Sequence, residues 1–287
     1  MEVEYKFLCP DELNYKKTME IIDAFNEDEN VCIVSTAFED VGTKYLDSAT
    51  GSLRKSNIAV RDRYEGSDIL YFVGVDPDED EAQLDEFEEI FGREYREEIE
   101  RCAKDELIRE ERHILSFKWG GSAEQGLHRR HEVDVDLTND TVEFWRLNRN
   151  IYRKFRKAEE EGLVGLFTTM IRRVKIYALV NESMIEVCID AGFFMKDEGK
   201  IPEVDKGILK IAKTNDPKEE VGIIELIPKL PESHVISEIE LELNQGSEED
   251  LKALADFLSD KFNLIPNEVS KYQRGLNLYD EELAASV

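Results

Sequence analysis

Charged and apolar residues alternate from the second position of the chain. Glu2, Glu4 and Lys6 are interleaved with Val3, Tyr5 and Phe7. In an extended strand successive side chains point to opposite faces. The three charged residues therefore share one face and the three apolar residues the other. Two carboxylates two positions apart lie about 7 Å from one another at ~3.3 Å per residue, near enough to share a hard divalent cation. A lysine one step further can reach an anion that the cation holds. An amphipathic strand with one wet face gives the same alternation, so the reading depends on whether the pattern returns.

It returns in seven later segments. Residues 35–47 read as a strand ending in Tyr45-Leu46-Asp47, and 57–65 puts Ala59, Arg61 and Arg63 on one face. Residues 113–120 put Ser116 and Lys118 together. In 129–137, Arg130, Glu132, Asp134 and Asp136 oppose Val133, Val135 and Leu137. Residues 166–180 carry Arg173 and Lys175 on a common face, and 183–194 carry Glu186, Cys188 and Asp190. In 235–243, Glu238, Glu240 and Glu242 oppose Ile239, Leu241 and Leu243. Eight such segments predict an α+β fold with a mostly antiparallel sheet.

Helical spacing marks other stretches. Tyr15, Met19, Ile22 and Phe25 predict a helix over 11–26, and 152–161 a shorter one. Ser247-Glu248-Glu249-Asp250 resembles a capping box, followed by a stripe of Leu251, Leu254, Ala255, Leu258 and Phe262 with Pro266 as the expected stop. Two stretches read as insertions. Residues 76–112 are acidic, with a weak stripe of Leu84, Phe87, Ile90 and Phe91, and their carboxylates read as a solvated helix face. Residues 196–233 carry Gly and Pro punctuation and room for a hairpin. No repeat, Gly-rich phosphate loop or low-complexity tail is present.

Charge narrows the partners. The 287 residues carry a formal net charge of -28, which repels nucleic acid and anionic membrane at long range. Any phosphate site must be a local basic pocket. Cys9, Cys32, Cys102 and Cys188 form no CxxC pair and no zinc-spaced set with histidine, so they read as reduced thiols in a cytoplasmic protein. No apolar run is long enough to cross a bilayer, and no signal peptide is expected before a strand that starts at Glu2.

The charges are not scattered evenly. Arg61, Arg63, Lys118, Arg130, Arg173 and Lys175 concentrate on some strands, and Glu2, Glu4, Glu132, Asp134, Glu238, Glu240 and Glu242 on others. If the sheet closes into an eight-stranded barrel, its interior is wide enough for one small ligand. The charged faces would then point into the lumen and the apolar faces would carry helices. The basic wall would hold a polyanion and the acidic wall Mg²⁺ or Mn²⁺.

The residues also resemble a known family. Glu2-Val3-Glu4-Tyr5-Lys6 is similar to the ExExK signature of the CYTH superfamily, the triphosphate tunnel metalloenzymes. Tyr45-Leu46-Asp47, then Leu53 and Ala59-Val60-Arg61-Asp62-Arg63, resemble the family's Y-x-D … L … A-x-R-x-R stretch. Lys118 resembles its lone strand lysine, and Arg130-His131-Glu132-Val133-Asp134 its R-x-E-x-E, with Asp in the last place. Thr169 with Arg173, Glu186 with Asp190-Ala191-Gly192, Glu238 to Glu242, and Ser270-Lys271-Tyr272 with Arg274-Gly275 follow in the family's order. The departures are the two insertions, expected outside the tunnel, and Asp134, which shortens one arm.

The resemblance implies a single tunnel domain over residues 1–287 that hydrolyses triphosphate-containing small molecules with Mg²⁺ or Mn²⁺. The inorganic triphosphatase branch, splitting tripolyphosphate into pyrophosphate and phosphate, is the most similar. An adenylate cyclase, a thiamine or nucleoside triphosphatase, or a non-catalytic polyphosphate-binding module are the alternatives. Lys6, Arg61, Arg63, Lys118, Arg130, Arg173 and Lys271 would hold phosphate oxygens. Glu2, Glu4, Glu240 and Glu242 would hold metal, with Glu132, Asp134 and Asp190 as further ligands. Glu4 and Lys6 would act catalytically. No nucleic-acid or membrane partner is expected, and the oligomeric state is left open. Arg54, Lys55, Arg129 and Arg172 read as solvent-facing, Glu238 as a rim residue, and Trp119 and Trp145 as packing residues. His131 points away from Arg130.

Overall fold

Glu2 and Glu4 each stand opposite a partner on a different neighbouring strand: Glu2 pairs in register with Arg130 and Glu4 with Glu242. The strand that carries them, β1 (Glu2–Leu8), is therefore held on both sides. In this computed structural model, which describes residues 1–10, 13, 15–28, 30–71, 108–138, 144, 147–196 and 232–285, that double pairing closes a barrel. Its strands are β2 (Val31–Ser48), β3 (Ile58–Tyr71), β4 (Ile108–Glu124), β5 (Leu127–Asp136), β6 (Leu163–Val180), β7 (Ser183–Lys196) and β8 (Val235–Gln245). The order around the barrel is β5-β4-β3-β2-β6-β7-β8-β1, and β1 returns to β5. Each junction is antiparallel. The eight expected strands all form, several longer than their alternation indicated. A two-residue strand, β9 (Ile265–Pro266), adds to the free end of β1 at Phe7 and Leu8.

Helices cover the apolar outer faces. α1 (Tyr15–Asn26) and α3 (Glu248–Phe262) bury Ile21, Phe25, Leu251, Leu254 and Leu258 against Val187, Ile189, Ile239 and Leu241. α2 (Arg149–Glu160) sets Ile151, Phe155 and Ala158 on Val60, Leu115, Phe117 and Val135. These are the odd- and even-numbered partners of the charged faces, so one alternation supplies both the core and the interior.

Local chemistry sets the helix ends. Ser247 caps α3 by accepting a hydrogen bond from the Asp250 amide at 3.1 Å. Asn148 does the same for α2 through the Asn150 amide at 2.8 Å. α3 stops at Asn263, not at Pro266 as expected. Asn263 adopts a left-handed φ of 53° and its amide bonds back to Ser259. Asn tolerates that conformation, which frees Pro266 to join β9. α1 is described from Tyr15; residues 11, 12 and 14 of its expected start lie outside the described residues.

α4 (Lys271–Ala285) was not anticipated as a helix. Gly275 lies within it, and glycine weakens a helical pattern. Its reason is steric: a Cβ on Gly275 would collide with the Phe167 ring. Glycine lets α4 press directly onto β6, which fixes Lys271 and Tyr272 at one end of the barrel. The two expected insertions fall mostly on residues 72–107 and 197–231, outside the described residues, as do Cys102 and Trp145. The tail of the first, from Ile108, is the start of β4. Cys9, Cys32 and Cys188 form no disulfide among the described residues. No helix among the described residues is long and apolar enough to cross a membrane.

Candidate active site

The charged faces of the strands are laced by ion pairs. On β1, Glu2 accepts from Lys118 at 2.9 Å and from Arg130 at 2.8 Å. Glu4 pairs with Lys6 at 2.7 Å and with Arg130, and Lys6 also pairs with Glu240. Glu4 is 2% exposed and Lys6 4%. On the neighbouring strands Glu132 takes Arg61 and Lys118, each at 2.5 Å, while Asp134 takes Arg63 at 3.2 Å and the Ser116 hydroxyl at 2.5 Å. Arg173 grips Asp190 with two nitrogens at 2.7 and 2.8 Å. Lys271, from α4, reaches Glu238 at 2.7 Å, Glu240 at 2.8 Å and Asp190 at 3.0 Å.

A cavity of about 170 Å³ opens among these groups. Lys6, Arg61, Arg63, Lys118, Arg130, Arg173 and Lys271 all line it, against a single carboxylate, Glu240. Glu2, Glu4, Glu132, Asp134, Asp190 and Glu238 each hold one or more of those cations from outside the lining. The seven residues expected to bind substrate thus converge on one space. Their carboxylate partners keep them charged and aimed while the cavity itself presents positive charge.

For the charges whose shifts are resolved, burial opposes the charged form and pairing with opposite charges competes with it. Burial would raise the Glu2 carboxyl, but Lys118 and Arg130 hold it well below the usual carboxylate range. Against the same burial, Arg173 and Lys271 lower Asp190, and Lys271, Lys6 and Arg173 lower Glu240. Burial would lower the Lys6 and Lys271 ammoniums, but their carboxylate neighbours hold both above the usual lysine range. Glu132 goes the other way, raised by burial despite Lys118 and Arg61. Glu242 is pushed up to about 8, first by burial and then by the negative charges of Glu2 and Glu186.

Of the seven residues expected to ligate metal, three converge. Glu2, Glu4 and Glu242 each present a carboxylate oxygen within 4.8 Å of the others. Glu242 has no ion pair or hydrogen bond among the described residues, and a hard divalent cation would relieve its repulsion from Glu2. An all-oxygen donor set of this kind fits Mg²⁺ or Mn²⁺. Glu132, Asp134, Asp190 and Glu240 lie outside this cluster and, like Glu2 and Glu4, are engaged by lysine and arginine.

Several expected neighbours face outward. Arg172 pairs with Asp40 at 3.2 Å and Arg129 with Glu248 on the surface. His131 stacks on Trp119 with ring centroids 5.4 Å apart. Trp119 packs against the α2 core, as expected, but also borders the cavity. Asp47 accepts from the amides of Ser48, Leu53 and Arg54 at 2.7 to 3.2 Å, so it shapes the turn before β3. Glu238 is fully buried between Lys271 and Arg274, not at a rim.

Sequence reasoning missed Glu39, which pairs with Lys175 at 2.8 Å and accepts from Ser67 at 3.0 Å. Its face on β2 runs Ala37, Glu39, Val41, Thr43, Tyr45, which reads as apolar. It also missed Glu65, paired with Arg63 at 3.0 Å, and the role of Arg274. Spacing does mark Glu65, which stands two positions after Arg63 on the same face of β3, but it does not mark Arg274. Arg274 was visible only inside the quoted closing segment.

No known protein-family profile matches this chain, and no curated protein sequence does. Solved structures share its outline. A protein from Hippeastrum, described as a candidate adenylyl cyclase with a dominant triphosphatase activity, is 13% identical over 95% of this chain and 93% of its own, with a TM-score of 0.47. A candidate adenylate cyclase from Bacillus halodurans is 14% identical over 96% of each chain, with a TM-score of 0.42. The Mimivirus capping enzyme triphosphatase is 13% identical over 93% of this chain and 90% of its own, with a TM-score of 0.36. Likeness at this level leaves the chemistry of the chain to its own side chains.

Proposed function

We propose that the protein is a tunnel enzyme of the CYTH type: a divalent-cation-dependent hydrolase of small triphosphates, with inorganic tripolyphosphate as the preferred substrate. One observation carries the reading. Seven cations and a single carboxylate line a cavity whose opposite partners are buried carboxylates. A compact polyanion is the ligand that such a cavity complements. No set of aromatic and amide groups built to read a base accompanies the phosphate-type contacts, which favours an all-phosphate substrate.

Hydrolysis of a phosphoanhydride needs charge neutralisation and alignment more than covalent chemistry. Arg61, Arg63, Lys118, Arg130, Arg173 and Lys271 hold non-bridging oxygens, the arginines through planar two-nitrogen contacts. Lys6, fixed between Glu4 and Glu240 and lining the cavity, would neutralise charge on the polyphosphate as pyrophosphate departs with the bridging oxygen. Glu4, expected to act catalytically, lies outside the cavity lining and is engaged by Lys6 and Arg130, so in this reading it acts by holding Lys6 and the cation rather than by touching the attacking water. Glu2, Glu4 and Glu242 would hold Mg²⁺ or Mn²⁺, which supplies neutralisation of phosphate charge and polarisation of the phosphoryl oxygen. A cytoplasmic location accompanies this reading, in keeping with cysteines that form no disulfide among the described residues.

The test is phosphate release from tripolyphosphate, ATP and thiamine triphosphate side by side, with Mg²⁺ or Mn²⁺, and with cyclic AMP measured in the ATP reaction. The highest kcat/KM is expected for tripolyphosphate, with no cyclic AMP. A higher kcat/KM for ATP, or cyclic AMP as the main product, rejects the tripolyphosphatase reading in favour of a nucleotide enzyme in the same cavity. Binding without turnover of any of the three leaves a polyphosphate-binding module.

A further inference from the structure

The cavity is not charged on all sides. Where β2 and β6 border it, the lining is Val41, Thr43, Tyr45, Thr169 and Ile171, continued by Tyr272 from α4. None of these carries a charge. On this wall two polar atoms are buried without any hydrogen-bond partner among the described residues: the Thr169 hydroxyl and the Tyr272 hydroxyl. Thr169 is 0% exposed. Leaving a buried hydroxyl unpaired costs roughly 1–3 kcal/mol. A valine at 169 and a phenylalanine at 272 would fill the same space without that penalty.

Both hydroxyls are also held in place. The Tyr272 ring stacks on Tyr45 at 5.7 Å and on Phe167 at 6.4 Å. Tyr45 in turn stacks on Phe167 at 4.4 Å. Thr169 lies in mid-strand on β6, directly opposite Thr43 in register. Unpaired hydroxyls on residues that line a cavity rimmed by cations are suited to oxygens that the cations alone do not saturate.

The geometry points to Thr169 and Tyr272 as uncharged substrate contacts, a specificity-determining pair that donates hydrogen bonds to phosphoryl oxygens on the neutral wall. The inference rests on the function proposed above and adds to it. The seven cations set how much charge the site accepts. The two hydroxyls set where along the polyphosphate one phosphoryl group must sit, and they do so without a salt-dependent contribution.

The experiment is calorimetric titration of the unaltered protein, Thr169→Val, Tyr272→Phe and the double variant with inorganic tripolyphosphate at low and high salt, with the melting temperature of each ligand-free protein. Each single variant is expected to bind about 10- to 100-fold more weakly, the range for a hydrogen bond to a charged group. The slope of affinity against salt should stay that of the unaltered protein. The ligand-free melting temperature should be unchanged or raised, because an unpaired hydroxyl has been removed. Unchanged affinity in both single variants overturns the inference. So does weaker binding accompanied by a lower ligand-free melting temperature, which would make the hydroxyls structural. If the unaltered protein does not bind tripolyphosphate, the proposed function itself fails, and this inference with it.

Discussion

Lys271, the first residue of α4, places its ammonium 3.0 Å from the carboxylate of Asp190 on β7. Asp190 is simultaneously gripped by Arg173 from β6. One buried carboxylate therefore ties a helix outside the barrel to two cations that border the cavity. The seat of α4 and the shape of the site are mechanically linked.

Gly275→Ala tests that link. The added methyl would collide with Phe167 and lift α4 from β6. Overpacking of this kind costs about 1–3 kcal/mol. The expected result is a lower melting temperature together with a raised KM for tripolyphosphate, because Lys271 and Tyr272 move with the helix. A lowered melting temperature with unchanged KM would separate the helix from the site.

Metal binding should depend on the three converging carboxylates. Glu2→Gln and Glu4→Gln are each expected to abolish most phosphate release and to weaken Mg²⁺ or Mn²⁺ binding seen by calorimetry. Excess chelator should silence the unaltered protein. Full turnover by either variant, or in the presence of chelator, would remove these residues from the ligand set.

Arg61→Ala should lower kcat/KM for tripolyphosphate by roughly 10- to 100-fold, the range for losing a hydrogen bond to a charged group. Arg61 is also the partner of Glu132 at 2.5 Å. Arg61→Lys keeps the charge but loses the planar fork, so it should recover only part of the activity. Steady-state kinetics with both variants separate charge from geometry.

Glu242 predicts a pH dependence with a definite sign. Its folded-state value of about 8 lies above its ordinary carboxylate value, because of burial and the charges of Glu2 and Glu186. Between about pH 4.5 and pH 8 the folded protein keeps a proton that the unfolded chain has lost, so this group's contribution to stability falls as pH rises through that window. Thermal melts of the metal-free protein against Glu242→Gln should show the difference shrinking at acid pH and growing toward pH 8 in favour of the variant. A difference that is flat across the window would mean Glu242 titrates normally.

How much of this was legible beforehand follows from the range of each interaction. The eight strands could be read from Glu2-Val3-Glu4-Tyr5-Lys6 and its successors because side-chain alternation is a property of neighbouring residues, and burial on one face writes it into the sequence. The seven cavity cations could be read for the same reason, each lying on the charged side of its strand or, for Lys271, in a short closing segment. Glu39 escaped because its face is otherwise apolar, and α4 because Gly275 masks the helical pattern while serving a contact with a distant ring.

The sequence by itself determined the period, the faces and the residue types: which side chains point together and which cover the core. Only the tertiary structure decided the pairings. Glu242 has no cation partner among the described residues and joins Glu2 and Glu4 in a candidate metal cluster, although Glu2 and Glu4 also pair with Lys118, Arg130 and Lys6, whereas Glu132, Asp134 and Asp190 act as counter-ions for arginine and lysine outside that cluster. All six have the same chemistry and the same alternation. Their roles diverge because closing the barrel sets a cation beside some carboxylates and another carboxylate beside Glu242, and the field at a buried carboxylate is set by what lies across the interior from it.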